Sequence, residues 1–421
     1  MASALQTRLE AIDGASSDAA QQLRALLTGE GPNDGESVKV KESALTRLCE
    51  VLVSSKDADA LSSLLLDLRP LFAVIPKAKT AKIIRTVIDA ISRVPNSTQR
   101  LLEVCRAQVE WAAAEKRSFL RQRLETRLAG LLLEIKDYPA ALSLLSKLLS
   151  EVKKLDDKLL LVDIYLLESQ AHHALKNLPK SRASLTAGRA AANAIYVPPS
   201  TQANLDTQSG LLHSEEGDFT TAYSYYYEAY EQYAALSSPR ALPLLKLMLL
   251  AKIMKGDVAE VPAIINSKTG ATSTESREVA SMRAVAEAYD SRSLHDFQAV
   301  LEEYPEQLTE DVNVSTHLAQ LYSTLLEKNL LRLIEPFSRV EVAHIARLID
   351  LPLPTIEAKL SQMILDKQLA GTLDQGAGLL EVWEEGTKDE VFPPALAAFE
   401  NIGRAVDLLH ARSLKLMAAA N

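Results

Sequence analysis

The sequence predicts a mainly α-helical chain: a right-handed solenoid of helix pairs, then a small helix-and-hairpin module, then one closing helix. Three observations predict it. Composition is the first. Hydrophobic residues make up 47% and aromatics only 5%, with 15 Gly and 17 Pro across 421 residues. Ala and Leu favour helix, and the β-branched and aromatic residues that sheets need are too few. The second is a turn phrase that recurs about every forty residues. The third is a change of pattern near residue 315.

The turn phrases are Lys136-Asp137-Tyr138-Pro139, Lys176-Asn177-Leu178-Pro179, Gly217-Asp218-Phe219 and Gly256-Asp257-Val258. Their Asp or Asn positions are 40, 41 and 39 residues apart. Lys56-Asp57-Ala58 lies two periods before Asp137, and Ser97 falls midway. Leu124, Leu128, Leu131, Leu132 and Ile135 precede one turn at helical spacing, and Ala141, Leu144, Leu145, Leu148 and Val152 follow it. Each period therefore reads as helix, short turn, helix. Small residues stand seven before the turn (Ala129, Ser169, Gly210) and five after its first residue (Ala141, Ala222). Those are the positions where two helices of a hairpin pack closely. The pattern is tetratricopeptide-like with longer helices, since strict repeats are about 34 residues. Such pairs stack on one another because none can bury its faces alone. A dozen helices spaced by about 8–10 Å give a path on the order of 100 Å.

The order of segments follows. Residues 1–35 read as an N-terminal helix pair and loop, the loop being Gly29 to Gly35. It is no phosphate loop, because no Gly-Lys-Ser/Thr follows. Residues 36–314 form the solenoid. Beyond it, Thr316 to Asn329 reads as a helix, and Leu330 to Phe337 as a short extended run. Ser338 is placed as an N-cap for a helix from Val340 to Ile349. Pro352 and Pro354 break that helix, and Thr355 to Gln368 forms the next. Two strand-like runs, Leu369 to Leu373 and Leu379 to Trp383, flank a turn at Asp374-Gln375-Gly376. This is winged-helix order, over residues 315–385. Such folds often read DNA with the last helix. Here that helix balances Lys359 and Lys367 against Glu357 and Asp366, without the cations and donors that phosphate and base contacts need. A protein-packing module is the better reading, with a sheet edge open to strand addition. After the linker Glu384 to Asp389, residues 392–421 hold a last helix, Ala395 to Met417. Leu396, Phe399, Ile402, Val406, Leu409 and Leu416 form its stripe, which must be covered by its own chain or by other subunits.

Net charge is −9, from 46 basic and 55 acidic residues. That disfavours nucleic acid and membrane surfaces, which call for clustered cations in excess. Cys49 and Cys105 make no CxxC pair, which removes a cysteine-built zinc site and fits a reducing compartment. No leader and no run of about 18 apolar residues is seen, so a cytoplasmic or nuclear protein is expected. His172 and His173 are adjacent on one helix and cannot both face one metal. No His-Glu-x-x-His or Gly-x-Ser-x-Gly occurs. An enzyme therefore has no site, and neither catalytic residue nor cofactor is expected. Two local features remain. Tyr223, Tyr226, Tyr227 and Tyr230 share a helical stripe, read as inter-repeat packing or a peptide-binding surface. Lys116, Arg117, Arg121, Arg123 and Arg127 read as a solvated helix face or as a dock for an acidic partner surface.

Helix pairs ending in a winged helix are the arrangement of the PCI family. The resemblance extends to sequence: Ala114 to Gln122, Ala192 to Tyr196, Ala222 to Tyr225, Ile334 to Val340 and Lys359 to Asp366 look like runs of PCI subunits in the proteasome regulatory-particle lid. It covers roughly residues 40 to 415, with the PCI helical part starting near 222. It implies a structural role. Winged helices would join other PCI lid subunits, with Phe337, Ser338, Arg339, Lys359, Met363, Asp374 and Gln375 as interface candidates. C-terminal helices would gather in a bundle, through Phe399, Ile402, Val406 and Leu409. The N-terminal solenoid, with the basic run, would reach the ATPase ring and the core particle's outer ring. The alternatives are a PCI subunit of the COP9 signalosome or of a translation initiation factor, or a nucleic-acid-binding winged-helix factor.

Overall fold

Nearly every hairpin turn in the chain is built by the same few hydrogen bonds. In the computed structural model, residues 19–28, 35–72, 75–95, 97–266, 276–309, 311–349, 351–383 and 391–420 are described. The expected loop at 29–34 and linker at 384–389 fall outside them. At the end of one helix a residue turns left-handed: Lys56, Lys116, Lys136, Lys176, Gly217, Ser237 and Gly256 all have positive φ. At Lys136 the amide donates to Leu133 O at 3.0 Å and the next amide, of Asp137, donates to Leu132 O at 2.9 Å. This is the Schellman pattern, which satisfies the last carbonyls of a helix. Asp137 then caps the following helix, its carboxylate accepting from the Ala140 amide. Asp57 and Asp218 do the same for Ala60 and Thr221. The Lys/Gly-Asp phrase is thus a stop signal and a start signal in adjacent residues.

The first unit, up to Met282, runs α1 (Ala19–Thr28), α2 (Gly35–Ser54), α3 (Ala58–Asp67), α4 (Arg69–Phe72), α5 (Lys77–Ser92), α6 (Thr98–Ala114), α7 (Ser118–Glu134), α8 (Tyr138–Leu155), α9 (Lys158–Ala174), α10 (Leu178–Asn193), α11 (Pro199–Glu215), α12 (Phe219–Ala235), α13 (Ala241–Lys255) and α14 (Val261–Ile265). Turns fall about every twenty residues from Lys116 onward, so the forty-residue period is two helices. The small residues lie at the helix crossings: Ala129, Ala141, Ser169 and Ala222 have no exposed surface. Between α9 and α10 the contact is polar. Ser181 Oγ lies 2.8 Å from Ser169 O and 3.0 Å from Ser169 Oγ.

The second unit begins at Arg283, earlier than the change of pattern at residue 315. The reason is packing: the Phe297 ring sits 6.0 Å from Tyr322, which ties α16 (Leu294–Glu303) to α18 (Val312–Ile334). Helix α15 (Arg277–Asp290) runs across the division at Arg283, and α17 (Pro305–Thr309) lies within this part. Then come β1 (Arg339–Glu341), α19 (Val342–Ile349), α20 (Leu353–Leu365), β2 (Gly371–Asp374), β3 (Leu379–Val382) and α21 (Phe392–Ala420). The sheet order is β1-β3-β2, antiparallel throughout. Leu330, Ile334, Val342, Ile356, Leu360 and Leu380 form its core.

Several expected boundaries move. Leu330 to Ile334 is the last turn of α18 and not extended, because Leu330 and Ile334 fill the core at i, i+4 spacing. Ser338 caps no helix; its carbonyl accepts from the Val382 amide at 2.9 Å and leads into β1. Pro352 is the N-cap of α20 and Pro354 lies in its first turn, where a missing amide costs nothing. Pro393 and Pro394 likewise sit inside the first turn of α21.

Candidate interaction surfaces and family

The basic run does not form one face. Arg117 turns inward: its Nη2 donates to Phe72 O at 3.2 Å and its guanidinium lies 4.9 Å from the Trp111 ring centre. Arg121 binds Glu151 on α8 and lies 3.6 Å from Glu125. These two arginines staple helices together. Lys116 is exposed and left-handed, serving the turn. Arg123 lies over Phe119 at 4.6 Å, and with Arg127 it faces a groove shared by α5, α7 and α9. One sequence cluster thus splits into inward ties and outward charge, because residues 117 and 121 lie on one helical stripe and 123 and 127 on another.

The tyrosine stripe also divides. Tyr226 and Tyr230 are buried, as is Tyr233 further along the same helix, while Tyr223 and Tyr227 pair outside them at 6.4 Å. Tyr225 stacks on His213 at 5.5 Å, and its hydroxyl oxygen accepts from Arg189 Nη1 at 2.7 Å. His173 Nε2 sits 2.8 Å from Glu215 Oε1, an ion-pair position between hairpins. Among the described residues no cluster of three His, Cys, Asp or Glu side chains could hold a metal ion. Among them, too, no helix is long and apolar enough to cross a membrane. Burial pushes both the Cys49 and Cys105 thiols up to about 11, which leaves them unreactive.

In the winged module, Arg339, Asp374 and Gln375 come together along a polar groove of ≈ 600 Å³. Arg339 pairs with Glu381 at 3.0 Å across the β1–β3 register. Lys359 is spoken for: its Nζ is 2.6 Å from both Glu327 Oε1 and Ser323 Oγ. Met363 is 1% exposed, so this interface candidate belongs to the core and not to a surface. Phe337 is exposed, and so are Leu348, Leu365 and Trp383, which the sequence reading did not single out. Their apolar character was visible, but not the face on which it would lie.

The closing helix, α21, is bare. Val391, Phe392, Leu396, Phe399, Ile402, Val406, Leu408, Leu409, Leu414, Leu416 and Met417 are all at least 49% exposed. Every described side chain from Leu396 to Met417 is exposed, so the expected stripe lies open, with Leu408 and Leu414 exposed as well.

Comparison with known proteins decides what carries these surfaces. The N-terminal domain of 26S proteasome regulatory subunit RPN6 matches residues 1–135, and the PCI domain matches 301–384. The chain is 53% identical over 408 residues to the 26S proteasome non-ATPase regulatory subunit 11 homolog of Arabidopsis thaliana, covering 97% of each. The chain belongs to the RPN6 family. Identity is 48% to the Dictyostelium discoideum 26S proteasome non-ATPase regulatory subunit 11, over 95% of this chain and 96% of that one. The probable 26S proteasome regulatory subunit rpn6 of Schizosaccharomyces pombe is also 48% identical, over 89% of each. An RPN6-family chain thus places its PCI match on the short helices before α18 as well as on the winged module, since that match starts at residue 301.

Proposed function

We propose that the chain is a non-catalytic scaffold of the 26S proteasome regulatory-particle lid. The relatives' names are those of regulatory subunits of that particle. The observation that carries the reading is the bare apolar surface of α21, which water would not leave uncovered on a working protein. In this reading α21 and the winged module join other PCI subunits of the lid. The N-terminal solenoid reaches the ATPase ring and the outer ring of the core particle, in the cytoplasm and nucleus. Nothing favours nucleic acid: of the two lysines expected on the reading helix, Lys359 is engaged by Glu327.

The two ends of the chain then fail separately, because in a stack each repeat touches only its neighbours. A chain lacking residues 1–115 enters the lid but weakens its association with the core particle, and more so as salt is raised. Native gels across a salt series measure this. Loss of lid assembly itself, or unchanged association with the core particle, contradicts the assignment of roles to the two ends.

A further inference from the structure

An open groove of ≈ 730 Å³ crosses the first unit. Alternate helices α5, α7 and α9 line it, and it ends at Asn204 of α11 and Arg240 just before α13. Four helices at usual packing distances span roughly 25–30 Å, the length of about eight residues of extended chain. The walls alternate between apolar and cationic. Leu124, Leu133, Leu159 and Leu167 supply the apolar part, and Arg85, Arg123, Arg127 and Arg240 the cations.

Those arginines have no carboxylate within salt-bridge distance among the described residues, and Arg123 lies over the Phe119 ring at 4.6 Å. Arg117 and Arg121 are consumed by internal contacts. Arg85, Arg123 and Arg127 make no salt bridge among the described residues, and Arg240 reaches only the Asn204 side chain, at 3.4 Å. Asp89, Glu134 and Asp163 are the acids of the groove. Asp163 lines it half-buried, and burial pushes its carboxyl up to about 6, with Arg123 acting the other way. The cations therefore outnumber the acids, against the −9 of the whole chain. Guanidinium groups next to apolar walls favour carboxylates, which they take in a bidentate fork. Solenoids commonly bind extended segments on the face lined by alternate helices.

We propose that this groove is a docking site for an extended segment of a partner protein in which two or more carboxylates are separated by apolar side chains. Arg123 and Arg127, one helical turn apart on α7, are the central anchors. Arg85 and Arg240 hold the two ends, and the leucines take the apolar side chains between. The inference does not depend on the lid assignment, since it rests on the groove alone.

The test is selection of a random octapeptide display library on the purified full-length chain, followed by fluorescence anisotropy with the selected peptides. Enrichment of peptides with at least two Asp or Glu interleaved with Leu, Ile or Phe is expected. The R123E/R127E double variant should weaken their binding by about tenfold or more, the loss of at least one strong contact. R123Q/R127Q should show a smaller loss with an unchanged melting temperature, which separates lost charge from lost folding. R182E, an exposed change outside the groove, should leave binding as it was. No enrichment, enrichment of basic peptides, or acidic peptides indifferent to both double variants would overturn the proposal. Binding of a labelled oligothymidine at the same site in preference to every selected peptide would overturn it as well.

Discussion

A β-carbon placed on Gly210 would meet Tyr226 Cε1 at 2.5 Å. The two helices of the α11–α12 hairpin therefore touch backbone to ring. Tyr226 is 1% exposed, and its hydroxyl lies 3.3 Å from Ser214 Oγ. The ring has no room to retreat.

Gly210→Ala accordingly destabilises the chain. Alanine is the better helix former by about 1 kcal/mol, but overpacking a closed core costs about 1–3 kcal/mol. A net loss on the order of 1 kcal/mol is expected, and Gly210→Val should lose more. Gly403→Ala is the control: nothing lies within 4 Å of the added carbon, and the helix content of α21 should hold or rise. Thermal unfolding followed by circular dichroism reads both. A more stable G210A would show that the hairpin is looser than this contact implies.

Asp163 gives the first unit a pH dependence. Its folded carboxyl titrates at about 6 against an ordinary 3.8, chiefly through burial. The folded state thus holds the proton more tightly than the unfolded chain. Stability from this group is fully present below 3.8 and is lost as pH rises to about 6. Asp163→Asn removes that loss. At pH 7 it should stabilise the chain by on the order of 1–2 kcal/mol, with little effect at pH 4. Urea unfolding at the two pH values checks it, and an equal effect at both would refute the burial argument.

Lys359 and Glu327 join α20 to α18 with side chains 14% and 21% exposed. Removing one partner strands the other in a poorly hydrated place. Lys359→Ala should cost on the order of 1–3 kcal/mol. The double variant K359M/E327L, which leaves no charge behind, should recover most of that. If K359A alone is neutral, the pair is solvated and Lys359 is available to a ligand after all.

Much of this was legible in the sequence, for reasons that lie in single residues. Lys136 followed by Asp137 announces a turn because one residue must go left-handed and the next must cap. Ala129, Ser169 and Gly210 announce crossings because only small side chains fit there. The direction of a long side chain was not legible. Arg117 and Arg123 look alike in a string of letters, yet one reaches Phe72 O and the other a groove wall. The destination depends on a neighbouring helix about forty residues away. The last turn of α18 reads as extended for a related reason. Leu330 to Ile334 is apolar enough for either structure, and the core that α18 completes decides for helix. The groove itself has no signal in any one segment, since α5, α7 and α9 each supply a fragment of it.

Incorporation of a chain ending at Glu390 tests the scaffold account most directly. Every large apolar side chain of α21 described from Leu396 to Met417 is exposed, so its removal takes no buried apolar side chain from the rest of the fold. The truncated chain should melt at the same temperature as the full one. Expressed with an affinity tag in cells, the full chain should co-purify with the other lid subunits in equal amounts by quantitative mass spectrometry. The truncated chain should be recovered without them. Normal stoichiometry of the truncated chain in the lid would contradict the account, because the bare helix would then have no part in assembly.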